Sequence, residues 1–295
     1  MNKFEQMLSA SKIILLDGAM GTMLMSKGME AGRAPESMNI EHPEIVKEIH
    51  RAYLEAGSNI VLTNSFGANR FRLQRHGLDD RVKEINLAAA KLAREVADEF
   101  TEVVVAGSIG PTGELMAPLG KLSFEDAVQA FAEQAAGLSS GGVDVIWIET
   151  MADLQEVRAA VEGARSVTRL PVAVTMTFES RGRTMMGVTP EQLVKLAQEL
   201  ELSAVGANCG KGPQELEEVI ERMNKAGCPI PIIAKANAGI PKLVEGKVIY
   251  DGSPDIMGQH AQTVRKSGAT LIGACCGSSP EHIREMKRVL FLSSF

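Results

Sequence analysis

The chain has 295 residues, of which 45% are apolar and 23% are charged, and its formal net charge at pH 7 is −6. These proportions are typical of a globular protein in water, and the acidic balance argues against nucleic acid or an anionic membrane as a partner. The longest early apolar run covers 13–16 and is too short for a signal peptide or a membrane span, so the chain is predicted to be cytoplasmic.

Eight short apolar runs are spaced along the chain, and a helical pattern follows each of them. Most runs are continuous rather than alternating, which is typical of parallel strands whose outer face is covered by helices. The predicted strands are 13–17, 58–64, 103–108, 143–149, 171–177, 203–208, 230–236 and 269–274.

Capping residues mark several of the predicted helices. The helix between the first two strands has an apolar stripe that stops at Gly57, a residue suited to the position after a helix. Thr189 begins a capping box, and Ser253 and Ser279 each precede a proline and an acidic residue. These signals place the helix starts shortly after the strands.

Eight strand–helix units in a chain of this length predict a (β/α)8 TIM barrel, in the α/β class, as a single domain covering 1–295. A doubly wound open sheet is the alternative, but no dinucleotide fingerprint or reversal point is visible. Long loops follow several strands and should lie at one end of the barrel, where binding sites are built. They cover 18–41, 109–122, 178–188 and 237–252.

Polar residues and cysteines collect at the carboxyl ends of the predicted strands. Because these ends meet at one mouth of a barrel, the side chains should form a ring there. The ring consists of Asp17, Asn64, Ser108, Glu149, Cys209, Asn237, Cys275 and Cys276.

Three ring residues are cysteines, namely Cys209 and the adjacent pair Cys275 and Cys276. Thiolates are soft ligands, and three of them would leave a fourth position on zinc for water or substrate. Gly273 and Gly277 flank the pair and permit the sharp turn that two adjacent ligands need. From the residues alone, a zinc site and inert core packing both stay open, and a redox pair is disfavoured because adjacent cysteines form a strained disulfide.

The other ring residues each allow two roles. Glu149 ends an apolar strand, so its carboxylate needs a partner, which is either a substrate ammonium or a loop. Asp17 allows the same two roles. Asn237 is either a weak, displaceable fourth metal ligand or a turn cap, and the fourth cysteine, Cys228, is assigned to the core.

Several segments resemble the zinc-dependent homocysteine S-methyltransferase family, and in particular the homocysteine-binding N-terminal module of cobalamin-dependent methionine synthases. The resemblance covers residue 13 to about residue 290. The segments are LDGAMGTML (16–24), NIVLTNSFGAN (59–69), GSIGPTG (107–113), IET (148–150), GANCG (206–210), AKANAGIP (234–241) and GACCG (273–277).

The resemblance implies that Cys209, Cys275 and Cys276 bind zinc and that Asn237 fills the fourth site when substrate is absent. Zinc would lower the pKa of the homocysteine thiol, and the resulting thiolate would attack a methyl donor. Methionine would then leave, and no side chain beyond the metal site would be needed as a general base.

The resemblance also implies how homocysteine binds. Asp17 and Glu149 would lie near its amino-acid end, with backbone amides holding its carboxylate. The residues predicted to bind substrate are Asp17, Gly18, Asn64, Ser108, Glu149 and Asn208.

No motif identifies the methyl donor, since the chain has neither the Asp-x-His-x-x-Gly cobalamin signature nor a dinucleotide motif. The donor is therefore predicted to be a betaine, a methylsulfonium, a methylfolate or a separate corrinoid protein, and the resemblance favours the last. Both a stand-alone enzyme and a piece of a larger one stay open. Two other functions are also open: demethylation of a small substrate onto a corrinoid protein, and a non-catalytic subunit that binds zinc and homocysteine.

Overall fold

A computed structural model describes residues 1–179, 181–240, 242–244 and 247–291. The predicted loops 178–188 and 237–252, the segment 234–241 and the domain range 1–295 each include residues outside this description.

All eight predicted strands are present, together with a short hairpin that the sequence patterns did not predict. In chain order the strands are β1 (Ile14–Leu15), β2 (Ile60–Leu62), β3 (Val104–Ile109), β4 (Val145–Met151), β5 (Val172–Met176), β6 (Ala204–Cys209), β7 (Ile232–Ala236), β8 (Lys242–Val244), β9 (Lys247–Ile249) and β10 (Ala269–Ala274).

The barrel sheet joins eight of these strands as parallel neighbours, in the order β1, β10, β7, β6, β5, β4, β3, β2. A parallel bridge between Leu16 and Ile60 connects its two ends, so the sheet is nearly closed. The predicted TIM barrel is confirmed. Strands β8 and β9 pair antiparallel and form the hairpin, which lies in the connection after β7.

The first helix precedes the first strand, and the other helices lie in the segments that follow the barrel strands and cover the sheet. They are α1 (Lys3–Ala10), α2 (Gly21–Ser26), α3 (Met38–Glu41), α4 (Pro43–Ala56), α5 (Arg70–Gln74), α6 (Val82–Ala97), α7 (Phe124–Ser140), α8 (Leu154–Val167), α9 (Pro190–Glu199), α10 (Pro213–Lys225), α11 (Pro254–Lys266) and α12 (Pro280–Phe291), with 3-10 turns at Pro35–Ser37 and Asp79–Arg81. Among the described residues, none of these helices has the length and apolar character to cross a membrane.

Most residues of the barrel strands are apolar because both faces of the sheet are buried. In β4, Ile146 and Ile148 belong to the core between sheet and helices, whereas Val145 and Trp147 belong to the core inside the barrel. Since successive side chains of a strand point to opposite faces, the two cores require a continuous apolar run.

Three of the predicted capping signals are confirmed, those at Gly57, Thr189 and Ser253. Gly57 ends α4 with a φ of 110°, which favours glycine, and Thr189 forms the capping box that begins α9. The Ser253 hydroxyl accepts a hydrogen bond from the backbone N–H of Ile256 in the first turn of α11.

Helix α1 covers the N-terminal end of the barrel, and the sequence patterns did not predict it. Asn2 forms a capping box with Glu5, and its side chain also donates to the carbonyl of Asp144, just before β4. Phe4 is fully buried and packs edge-on against Trp147 at a centroid distance of 6.4 Å. Solvent access to the barrel interior is therefore left to the other end.

His50 lies in α4 with its ring fully buried, and neither ring nitrogen has a hydrogen-bond partner among the described residues. Burial lowers the pKa of His50 from 6.5 to about 4. As the pH falls below 6.5, His50 of the unfolded chain binds a proton, whereas His50 of the folded protein does not bind one until about pH 4. The free energy of unfolding should therefore fall by about 2 kcal/mol between about pH 7 and pH 5 through this group.

Urea unfolding of wild type and His50→Leu, both kept metal-free with a chelator, measures this effect. Leucine has no proton to bind, so the variant should lose about 2 kcal/mol less than wild type over that pH range. An equal loss in both proteins would show that His50 is not the cause.

Candidate metal centre

The structure brings Cys209, Cys275 and Cys276 together at the open end of the barrel. Cys209 ends β6, the other two follow β10, and both strands pair with β7. The Sγ atoms of Cys209 and Cys275 are 2.9 Å apart, and all three Sγ atoms lie within 4.8 Å of one another. The predicted meeting of the three sulfurs is thus present in the fold.

The backbone turns through the left-handed (positive φ) conformation at each group of cysteines. Cys209 has a φ of 58° and Gly210 a φ of 73°. A residue with a side chain is rare in this conformation, which costs about 1 kcal/mol or more. Gly277 has a φ of 80°, and a Cβ there would collide with the ring of Tyr250. Gly277 therefore permits the tight turn that places Cys275 and Cys276.

The side-chain amide of Asn208 holds the end of β6 in place through hydrogen bonds. Its Oδ1 accepts hydrogen bonds from the Thr150 N–H at 2.9 Å and the Thr175 hydroxyl at 2.6 Å. Its Nδ2 donates to the Thr150 hydroxyl at 2.7 Å and contacts the Cys209 sulfur at 3.5 Å. The amide thus links the ends of three neighbouring strands and positions Cys209.

The crowded thiols share their protons unequally. Hydrogen bonds from Cys209 and Cys275 lower the pKa of Cys276. Hydrogen bonds to Cys275 and Cys276, together with burial, raise the pKa of Cys209 well above its ordinary value. The protein alone therefore favours a single thiolate, and three thiolates this close together require a cation to offset their repulsion.

A cavity of about 300 Å³ opens beside the sulfurs. Eight of the predicted site residues line it, whereas Asn208 and Asn237 do not. The eight are Asp17, Gly18, Asn64, Ser108, Glu149, Cys209, Cys275 and Cys276.

A buried ion pair lies in the cavity wall. The Lys235 Nζ is 2.9 Å from Asp17 Oδ1, and the Leu62 N–H donates to Asp17 Oδ2 at 2.7 Å. Burial raises the pKa of Asp17, against the opposing effect of Lys235. Sequence reasoning missed Lys235, although a charged residue inside an apolar strand is the signal that singled out Glu149.

Glu149 is the second carboxylate of this wall. Its Oε1 accepts a hydrogen bond of 2.5 Å from the Ser108 hydroxyl. Burial raises the pKa of Glu149 to about 7, although the charge of Lys235 opposes the shift. Ser108 therefore orients Glu149 within the cavity.

Asn64 and Gly18 both contribute to the structure of the loops around the mouth, Asn64 through hydrogen bonds and Gly18 by its lack of a side chain. The Asn64 amide donates to the Pro35 carbonyl at 2.8 Å and to Asn39 Oδ1 at 3.1 Å. At Gly18 a Cβ would collide with the hydroxyl of Ser278. Both residues therefore already have a structural task in the wall of the cavity.

Asn237 carries an acceptor without a partner. Its Nδ2 donates to the Gly210 carbonyl at 2.8 Å, and the next residue, Ala238, donates its N–H to the Cys276 carbonyl at 2.9 Å. Its Oδ1 is buried and has no hydrogen-bond partner among the described residues. A buried acceptor of this kind is costly unless a ligand completes it.

Tyr250 is a further cavity residue that sequence reasoning missed. It follows the hairpin strand β9, and its ring lies against Gly277. Burial, together with the negative charge of Cys276, raises the pKa of Tyr250 to about 12. Nothing in the pattern around residue 250 indicated this role, because it depends on the contact of Tyr250 with Gly277, which is distant in the sequence.

The chain is similar to known proteins over most of its length. The family described as "Homocysteine S-methyltransferase" matches residues 14–290. The methionine synthases of Mycobacterium leprae and Mycobacterium tuberculosis are each 33% identical over 295 residues, covering 94% of this chain and 24% of their own length. The chain therefore spans about a quarter of the length of these curated relatives.

Solved structures of the homocysteine methyltransferase MmuM from Escherichia coli are also similar. The oxidized and metallated forms each have a TM-score of 0.82, with 24% and 23% sequence identity respectively. Each alignment covers 97% of this chain and 99% of that chain. The likeness supports the barrel fold described above.

Proposed function

This chain belongs to the homocysteine S-methyltransferase family of transferases, and we propose that it transfers a methyl group to the thiol of homocysteine with a zinc ion at its cysteine cluster. Methionine is the product of this reaction. The observation that carries the proposal is the convergence of Cys209, Cys275 and Cys276 beside a cavity with charged groups in its wall.

The donor set supports zinc. Three thiolates favour a soft or borderline metal, and tetrahedral zinc with Zn–S bonds near 2.3 Å requires sulfurs about 3.8 Å apart. The Sγ atoms of Cys209 and Cys275 are 2.9 Å apart and all three sulfurs lie within 4.8 Å of one another, so a small movement of the side chains would give that spacing. The unpartnered Oδ1 of Asn237 supports a displaceable fourth ligand.

When bound, zinc would supply the Lewis acid that lowers the pKa of the homocysteine thiol toward neutral pH. The chain contributes the position of the sulfurs. Asn208 and the left-handed turn at Cys209 hold one ligand, and the glycine-flanked turn holds Cys275 and Cys276. The cavity beside them admits the substrate and restricts water.

The position of Glu149 supports a role for its carboxylate in binding the amino group of the substrate. Ser108 holds one oxygen of its carboxylate, and the side chain lines the cavity. Asp17 is engaged by Lys235 and by the Leu62 N–H, which favours the second of its predicted roles, that of ordering the mouth. Asn64, likewise, orders the loops.

A separate corrinoid protein is the methyl donor that we propose. The similarity to methionine synthases supports it, because the segments that carry the family resemblance are most similar to the homocysteine-binding module of the cobalamin-dependent enzymes.

A donor panel tests the proposed function. The zinc-loaded chain is incubated with homocysteine and with a methylated corrinoid protein, a betaine, a methylsulfonium or a methylfolate, and methionine is quantified. We expect methionine from the corrinoid protein at the highest rate. Zinc and homocysteine binding without methionine from any donor would overturn the proposal in favour of a non-catalytic subunit, and methyl transfer without homocysteine would favour demethylation.

A further inference from the structure

Lys235 is the one cationic side chain that lines the cavity in the described part of the chain. The same wall carries three carboxylates, Asp17, Glu36 and Glu149, in addition to the cysteines. The carboxylates of this wall would repel a substrate that carries a carboxylate. Lys235 is therefore the side chain that can offset its charge.

The Lys235 ammonium has more hydrogen-bond donors than the described residues have acceptors for it. It carries three N–H groups, and the described residues offer it one hydrogen-bond acceptor, Asp17 Oδ1 at 2.9 Å. Its side chain is only 3% exposed. A buried ammonium is unfavourable unless its donors find acceptors, so the arrangement favours a ligand that offers hydrogen-bond acceptors, such as a carboxylate.

The ion pair with Asp17 fixes where that ligand would lie. Asp17 is itself held by the Leu62 N–H, so the Lys235 head group is tied to the wall rather than free to turn into solvent. Glu149 lies close enough for its charge to act on Lys235, as does Cys275. One charged patch beside the sulfurs thus offers both an acidic and a basic group.

Resting on the proposed function, we propose that Lys235 binds the carboxylate of the thiol substrate while Glu149 binds its ammonium. Lys235 then determines the preference for a substrate that carries a carboxylate. Backbone amides, which the family resemblance implies for this group, would act together with Lys235.

The test compares three thiols that differ in one group each. They are homocysteine, aminopropanethiol, which lacks the carboxylate, and mercaptobutyrate, which lacks the ammonium. Affinities for zinc-loaded wild type and Lys235→Gln are measured by isothermal titration calorimetry. Glutamine keeps a donor for Asp17 but removes the charge. The double variant Asp17→Asn/Lys235→Gln removes the whole ion pair and serves if the single variant is unstable.

We expect Lys235→Gln to weaken homocysteine and mercaptobutyrate by about 10- to 100-fold, as for a hydrogen bond between charged groups, and to change aminopropanethiol by less than about threefold. Equal weakening of all three thiols would overturn the proposal, since it would show a structural role. Unchanged affinities would overturn it in favour of backbone amides alone. If wild type fails to bind homocysteine, the proposed function fails as well.

Discussion

Replacing Cys276 by serine should abolish zinc binding and lower the rate of methionine formation by about a thousandfold or more. A serine hydroxyl stays protonated at neutral pH and is a poor ligand for zinc, so two thiolates remain where three are needed. Zinc per chain, measured by atomic emission after dialysis, should fall from about one to near zero. The rate is measured with the best donor of the panel.

Cys228→Ser is the matched control, because Cys228 lies outside the cluster and its thiol donates to the Ile230 carbonyl at 3.4 Å. This variant should keep its zinc and its activity. If Cys276→Ser kept both as well, the cysteine cluster could not be the metal site.

Asn208→Ala should weaken zinc binding by about 10- to 100-fold, the usual effect of removing a group that orients a metal ligand. It should also lower the free energy of unfolding by roughly 2–4 kcal/mol, because the N–H of Thr150 and the hydroxyls of Thr150 and Thr175 lose buried partners. Zinc affinity is measured by competition with a chromophoric chelator, and stability by urea unfolding of the metal-free chain.

Asn86→Ala separates the two effects. Asn86 is also fully buried, and its amide donates to the Ala68 and Val82 carbonyls at 2.8 Å each, away from the cluster. It should lose stability but keep its zinc affinity. Equal weakening of zinc binding in both variants would mean that Asn208 acts through stability alone.

The barrel could be predicted from the sequence because each strand is buried on both faces and so reads as a continuous apolar run. Runs 171–177 and 269–274 correspond closely to β5 and β10. Regular pairing in β1 is shorter than the predicted 13–17, since Leu16 contributes only an isolated bridge to Ile60.

The sulfur cluster could be predicted because the carboxyl ends of all strands lie at one mouth of a parallel barrel, and the two strands that carry the cysteines both pair with β7. The Asp17–Lys235 pair could not be predicted in the same way. The two residues are 218 positions apart in the chain, and their pairing depends on which side chains face the interior at one level of the barrel.

Helix α1 and the hairpin of β8 and β9 were missed for a related reason. Both are extra to the strand–helix repeat, so the repeat does not predict them. The position of α1 over the end of the barrel depends on the contact of Phe4 with Trp147, and this contact forms only in the folded barrel.

X-ray absorption at the zinc edge tests the central claim most directly. For the zinc-loaded chain we predict three sulfur neighbours near 2.3 Å and one lighter neighbour, changing to four sulfurs when homocysteine is added. A zinc shell without three sulfurs, or one that homocysteine leaves unchanged, would contradict the account.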